Sequence, residues 1–232
     1  MEANTLVDRI YELLKQKILR QEFTQNQKLN LTTLAHELKV SNTPLREAIS
    51  RLEKVGLVKI VPYRGTYVRG LSAPEVAETY DVRIALEILA ARLVAARQPP
   101  ETLAQLNHVH QQYQTAFAND DHDQVKEHDL EFHRLIAQAS GNKTLVDFLQ
   151  MLADWVTVFM QFRLPPPRAP ELLISEHVQI LAAIHGGQPS KAGEAMQQHL
   201  VAGKIDLLHH LANQLEESNF LGEYPDVWGE DQ

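Results

Sequence analysis

The stretch "SNTPLREAISRLEKVG", residues 41–56, predicts a short amphipathic helix with basic residues on its polar face. Ser41 or Thr43 can cap its start, and Pro44 falls in the first turn, where a missing backbone N–H does no harm. Gly56 is suited to end it. The apolar residues form one stripe at helical spacing: Leu45, Ala48, Ile49 and Leu52. The stretch therefore predicts a helix that packs by one face and exposes the other.

Two helices are predicted before this stretch and a β hairpin after it. Apolar residues at helical spacing predict helices from about Leu6 to Arg20 and from about Leu31 to Lys39. The segment "LVKIVPYRGTYVRG" predicts two strands, at about 57–61 and 66–69, joined by a turn. Three helices followed by a hairpin are typical of a winged helix-turn-helix domain, whose third helix enters the major groove of DNA.

The charge distribution supports a nucleic-acid partner for this part of the chain. The 232 residues have a net charge of −8, yet residues 1–70 contain 12 Lys and Arg against 7 Asp and Glu. The acidity belongs to the remaining residues, so the N-terminal module is basic on its own. We predict a DNA-binding domain over residues 1–70. The alternative is a protein-binding module, in which the same basic face is simply solvated.

Composition excludes several other classes of protein. The chain has no cysteine, which excludes disulfides and thiolate metal sites and fits a reducing cytosol. Its N-terminus lacks the apolar core of a signal peptide, and no stretch approaches the roughly 18–20 apolar residues of a membrane span. We therefore predict a cytoplasmic protein without a membrane partner.

Several polar residues of the N-terminal module are placed to contact DNA. Arg46 and Ser50 face away from the apolar stripe, and a guanidinium such as that of Arg46 can bond guanine in two places. Arg64 at the hairpin tip can reach a phosphate or the minor groove. Hydroxyl residues at helix starts suit phosphate; these are Thr32, Ser41 and Thr43.

After the hairpin, the sequence predicts only helices. Ser72 and Glu75 form a capping box, which opens the first of them. The helical pattern continues to about Leu215 and predicts an all-α bundle over residues 71–215. Residues 216–232 are acidic and predict a flexible tail. The fold class is thus mainly α, a winged helix-turn-helix followed by a helical bundle.

Four residues of the bundle combine a metal-ligand side chain with an apolar face of a predicted helix: Asp129, His133, His177 and His199. Burying a carboxylate and three imidazoles is costly unless a partner satisfies them, and a divalent metal ion would do so. This ligand set suits zinc best, and nickel, manganese or iron also fit. The alternative is an Asp–His ion pair with core histidines bonded to carbonyl groups. His110 shares a face with Leu106 and Tyr113, and we predict it to be a core residue without a metal.

The N-terminal residues 6–70 resemble the DNA-binding domain of GntR-family bacterial transcription regulators. The stretch "VSNTPLREAISRLEKVGLV" followed by "RGTYV" carries the resemblance. The resemblance implies that the third helix reads the major groove and the wing touches the minor groove. It gives as contact candidates Ser41, Asn42, Thr43, Arg46 and Arg64. Asn42 stands where many members have arginine, and asparagine favours adenine over guanine, so operators of other members are not expected to transfer.

The second part of the chain resembles the FCD effector domain of the FadR-like GntR subgroup over most of residues 72–215. The stretches that carry the resemblance are "DVRIALEILAARLVAA", "HDLEFHRLIAQASGN", "SEHVQILAAIHGG" and "AMQQHL". It implies a metal site at the four residues above, with open positions for water or for the carboxylate of a small organic acid. Arg83 occupies the place of an arginine often aimed at the ligand; alternatively it forms a salt bridge with Glu87 one helical turn away.

Together these observations predict a homodimeric, metabolite-responsive transcription regulator that binds a two-fold symmetric operator. It would not be an enzyme. Two alternatives remain at this stage: a regulator that senses the metal itself, and a metal-dependent hydrolase with an accessory basic domain.

Overall fold

The computed structural model describes residues 5–20, 22–70, 72–159 and 168–221. The chain divides into two compact units. The first comprises Met1–Leu71 with Gln150–Arg163, and the second comprises Ser72–Leu149 with Leu164–Gln232. In the described residues no helix has both the length and the apolar character needed to cross a bilayer.

The first unit contains three helices and a small sheet. The helices are α1 (Leu6–Leu19), α2 (Leu31–Glu37) and α3 (Asn42–Lys54). The strands are β1 (Lys28–Leu29), β2 (Val58–Val61) and β3 (Gly65–Val68), in the order β1-β3-β2 with antiparallel pairing. The predicted winged helix-turn-helix is confirmed, and β1 is an additional strand that the sequence analysis did not predict.

Helix α3 is held by the apolar stripe predicted for it. Leu45, Ala48, Ile49 and Leu52 are all buried, and they pack with α1 and the sheet in one core. Burial of each large side chain stabilises the fold by about 1.5–3 kcal/mol. Ser41 occupies the N-cap position but makes no side-chain capping hydrogen bond. Gly56 follows the helix with φ of +73°, the left-handed conformation that ends many helices.

The second half of helix α7 (Lys143–Phe159) belongs to this first unit. Trp155 packs against its core, and the indole N–H donates a hydrogen bond of 2.5 Å to the carbonyl of Val55, directly after α3. Lys15 of α1 forms an ion pair with Asp154. Helix α7 therefore contacts both the end of α3, through Trp155, and α1, through Asp154.

The second unit is entirely helical within its described residues, as predicted. Besides the first half of α7, it contains α4 (Ala73–Arg97), α5 (Pro100–Ala118), α6 (His122–Ala139), α8 (Pro170–His185) and α9 (Pro189–Leu221). The Ser72–Glu75 capping box opens α4 as predicted. Helix α4 packs along α9, α5 along α6, and α8 against α9. Helix α9 continues beyond the predicted end near Leu215, and the rest of the predicted tail, 222–232, lies outside the described residues.

Candidate functional site

Three helices of the second unit bring one group of ligating side chains together. Asp129 and His133 come from α6, His177 from α8 and His199 from α9. One ligand atom from each residue lies within 4.8 Å of the others. The three histidines are buried and Asp129 is partly exposed. The four residues singled out in the sequence are thus neighbours in space.

Two of the imidazoles are oriented by carboxylates behind them. Nδ1 of His133 contacts Glu87 of α4, and Nδ1 of His199 lies 2.8 Å from Glu176 of α8. A carboxylate accepts a hydrogen bond, so it holds the proton on Nδ1 and leaves the lone pair on Nε2. Both rings consequently direct an unprotonated nitrogen away from the carboxylates.

These two Nε2 atoms face each other at 3.1 Å. With a proton on each Nδ1, neither Nε2 of a neutral ring can donate, and two lone pairs at this distance repel. Two nitrogens bound to one zinc ion at about 2.0–2.1 Å are about 3.3–3.4 Å apart at the tetrahedral angle and about 2.8–3.0 Å apart at a right angle, so the observed distance lies within the range of a shared cation. The donor set of the site therefore fits a divalent metal.

His177 is fully buried between two aromatic rings. Its ring centroid lies 4.2 Å from that of Phe132 and 4.6 Å from that of Tyr113, both nearly parallel to it. Burial lowers the pKa of His177 to about 4, although Asp129, with Oδ1 at 3.2 Å from Nε2, acts in the opposite direction. His177 is therefore a neutral imidazole near pH 7, the form that binds metals.

Asp129 supplies the negative charge of the group. Burial alone would raise the pKa of Asp129, but the contact with His177 and the charges of the surrounding imidazoles hold it below its usual value. The carboxylate is therefore ionised near pH 7. One anionic oxygen and three imidazoles form a ligand set that nickel, iron and manganese share with zinc.

Arg83 forms the salt bridge that the sequence left as one of two alternatives. Its Nε donates to Glu87 at 2.6 Å, both side chains are buried, and the guanidinium lies over the Tyr80 ring at 5.4 Å. Because Glu87 also contacts His133, the arginine supports this candidate ligand through one intermediate residue. The positive partners outweigh the effect of burial and lower the pKa of Glu87 to about 2.

The sequence analysis missed the support of His199. Glu176 is held by Arg168, which also forms an ion pair with Asp206. Glu176 is adjacent to His177 in the sequence, but its carboxylate contacts His199 of α9. The sequence around His199 could not predict its contact with Glu176, because the residues involved come from α8, α9 and the segment before α8.

His110 is buried as predicted, but it is not a satisfied core histidine. Neither ring nitrogen has a hydrogen-bond partner among the residues that the structure describes. Its ring centroid lies 5.9 Å from that of His177. Among the described residues, no carbonyl group accepts a hydrogen bond from the His110 ring, as would be usual for a core histidine.

The predicted DNA-contact residues lie on the surface of the first unit. All are exposed except Ser50, which is partly buried: Thr32, Ser41, Asn42, Thr43, Arg46, Ser50 and Arg64. Arg46 makes no ion pair within the described residues, whereas the nearby Arg51 bonds Asp8 at 2.6 Å and also contacts Glu47. Asn30, which the sequence analysis did not single out, caps α2 by accepting from the backbone N–H groups of Thr32 and Thr33.

Comparison with known proteins identifies the same two parts of the chain. Residues 6–68 match the gntR family of bacterial regulatory proteins, and residues 78–202 match the FCD domain. The helix-turn-helix transcriptional regulator YdhC of Bacillus subtilis is 31% identical over 208 residues, which cover 89% of this chain and 91% of the relative. The transcriptional repressor RspR of Escherichia coli is 28% identical over 191 residues, 82% of this chain and 84% of the relative.

A solved structure shares the fold. Escherichia coli McbR/YncC superimposes with a TM-score of 0.76 at 22% identity, over 89% of this chain and 98% of that protein. At this identity the similarity concerns the arrangement of helices and strands and says nothing about ligands.

Proposed function

The chain belongs to the GntR family and has an FCD domain, so it is a DNA-binding transcription regulator and not an enzyme. From this premise we propose that a divalent metal and a small carboxylate control its DNA binding. The hydrolase alternative is thereby wrong. Residues 1–70 would bind DNA, and residues 71–215 would bind the metal and the effector.

The observation that carries the metal proposal is the pair of facing Nε2 atoms of His133 and His199. With both rings neutral and no cation between them, the protein would bury two opposed lone pairs at 3.1 Å. Such an arrangement is costly unless a positive charge lies between them. The residues that would hold the ion are Asp129, His133, His177 and His199. Once bound, the ion supplies positive charge for an anionic ligand.

Arg83 is our candidate for a second contact with the effector. Its Nε is occupied by Glu87, but a guanidinium has four further N–H donors. It belongs to the same buried network as His133, through Glu87. A carboxylate near the metal would thus meet an arginine already fixed in place, which reduces the entropy lost on binding.

The DNA-binding side of the proposal needs two copies of the chain. We propose a homodimer with two-fold symmetry, which presents two α3 helices to the two halves of an operator. Arg46, Asn42 and Ser50 would face base edges. Phosphate contacts would come from the residues at helix starts and the wing, namely Thr32, Ser41, Thr43 and Arg64. A DNA partner implies action in the cytoplasm.

The test uses full-length protein purified without chelator and an operator selected by the protein from random DNA. By elemental analysis we expect about one ion of zinc, nickel, manganese or iron per chain. Addition of a small carboxylate should change the operator affinity of the metal-loaded protein but not that of the metal-free protein. Absence of any bound metal would contradict the metal site. An equal change caused by micromolar metal alone would instead favour the metal-sensor alternative.

A further inference from the structure

His110 is a buried polar side chain whose hydrogen-bonding capacity is not used by any residue that the structure describes. It lies on α5 with 8% of its surface exposed, and both ring nitrogens lack a partner within the described residues. Buried polar groups in native proteins are nearly always hydrogen-bonded, so an exception calls for an explanation. A bound molecule that the protein normally holds is one.

The position of His110 indicates which molecule this is. Its ring lies 5.9 Å from that of His177 and 6.4 Å from that of Tyr113, which in turn stacks on His177 at 4.6 Å. His110 and Tyr113 are one helical turn apart on α5, so the same face of this helix borders the group of four ligand residues. His110 is not a member of that group.

We propose that His110 is a specificity-determining residue of the effector site, which hydrogen-bonds a second oxygen-bearing group of the small acid whose carboxylate reaches the metal. This inference rests on the proposed function. A neutral imidazole offers one donor and one acceptor, so it can bond either a hydroxyl or a second carboxylate. The effector class would then be a hydroxy acid or a diacid, and a simple monocarboxylic acid would bind less well.

The chain offers a near-isosteric test and a matched control. His110→Phe keeps an aromatic ring of similar size and removes both nitrogens. His108→Phe makes the same change at an exposed position of the same helix. The probes are acetate, glycolate and malonate, which share one carboxylate and differ in the second group, and binding to zinc-loaded protein is measured by calorimetry.

We expect wild type and His108→Phe to bind glycolate or malonate about tenfold more tightly than acetate. In His110→Phe this preference should disappear, while zinc content and acetate affinity stay unchanged. General damage to the site would instead weaken all three probes together. A preference that survives in His110→Phe, or is absent in wild type, overturns the inference and leaves the proposed function intact.

Two further outcomes complete the test. If zinc-loaded wild type binds none of the three acids, the proposed carboxylate effector fails and the inference fails with it. The melting temperature of metal-free His110→Phe should equal or exceed that of wild type, because no internal hydrogen bond is lost. A decrease of several degrees would show that His110 has a partner in the protein and would also overturn the inference.

Discussion

The exposed face of α3 and the buried group around His177 use polar side chains under opposite conditions. On α3, Arg46 projects into solvent, where a charge needs no partner to be stable. In the helical unit, His177 is fully buried, and each nitrogen must be satisfied by the protein or by something bound to it. Substitutions on the exposed face of α3 are therefore expected to leave the fold intact, whereas substitutions in the buried group are expected to change ligand binding and stability together.

Removal of a proposed metal ligand tests this comparison with the largest expected effect. His177→Ala and His199→Ala should each lower zinc affinity by about a hundredfold or more, because even changes behind the ligands cost about 10–100-fold. The matched controls are His185→Ala and His209→Ala, exposed histidines on the same two helices. Competition for zinc with a chromophoric chelator measures the affinity. If His177→Ala and His199→Ala both bound zinc as tightly as wild type, the proposed metal site would be wrong.

A subtler change at the buried group is Glu176→Gln. The amide keeps the size of the carboxylate but no longer accepts the His199 Nδ1 proton as an anion. We expect zinc affinity to fall by about 10–100-fold while all four ligands remain. Glu171→Gln, at an exposed position of α8, is the control. No loss in Glu176→Gln would mean that His199 is oriented by other contacts.

Arg46→Ala addresses the exposed face. Loss of a bidentate base contact should weaken operator binding by about 1–3 kcal/mol, which is roughly 5–150-fold. Because the side chain is exposed, the melting temperature should stay within about a degree of wild type. Fluorescence anisotropy with specific and scrambled DNA measures affinity and selectivity. If the variant kept the selectivity of wild type for specific DNA, Arg46 would not contact base edges. Arg134→Ala on α6 controls for the loss of a positive charge.

The pH dependence of stability tests the burial of His177. Burial lowers the pKa of His177 from 6.5 to about 4. Between these values the unfolded chain binds more protons than the folded chain, so acidification destabilises the folded state, and the effect is complete below about pH 4. For the metal-free protein the total decrease in the free energy of unfolding is on the order of 3 kcal/mol. Urea unfolding from pH 7.5 to 4.5 measures most of this decrease, and His177→Gln should flatten the profile.

The smallest expected effect concerns salt. Operator affinity should fall steeply with salt even though the whole chain is acidic, because only the basic residues 1–70 would meet the phosphates. Arg64→Ala at the wing tip should reduce the slope of log K against log salt by about one if Arg64 binds a phosphate. A slope equal to that of wild type would place this side chain off the DNA backbone.

The two regions also differ in how far their sequences predict them. The α3 stripe has a period that local packing imposes, so Leu45, Ile49 and Leu52 indicate both the helix and its buried side. The two residues of β1 carry no such period, and only pairing with β3 defines them. At the buried group, spacing predicted the four residues that the structure brings together, because each placed a polar side chain on an apolar helical face.

What the sequence by itself determined is the set of elements and the chemistry on their faces: a helix with basic residues on its exposed face, and an aspartate with three histidines on apolar faces. Local periodicity and side-chain type depend only on residues within a few turns, so they can be read along the chain. The tertiary structure alone decided the partners of those groups. It joined Glu87 to His133 and Glu176 to His199, and it left both nitrogens of His110 unpaired within the described residues. Such pairings join helices far apart in sequence, where only the packing of the bundle determines which polar atoms meet.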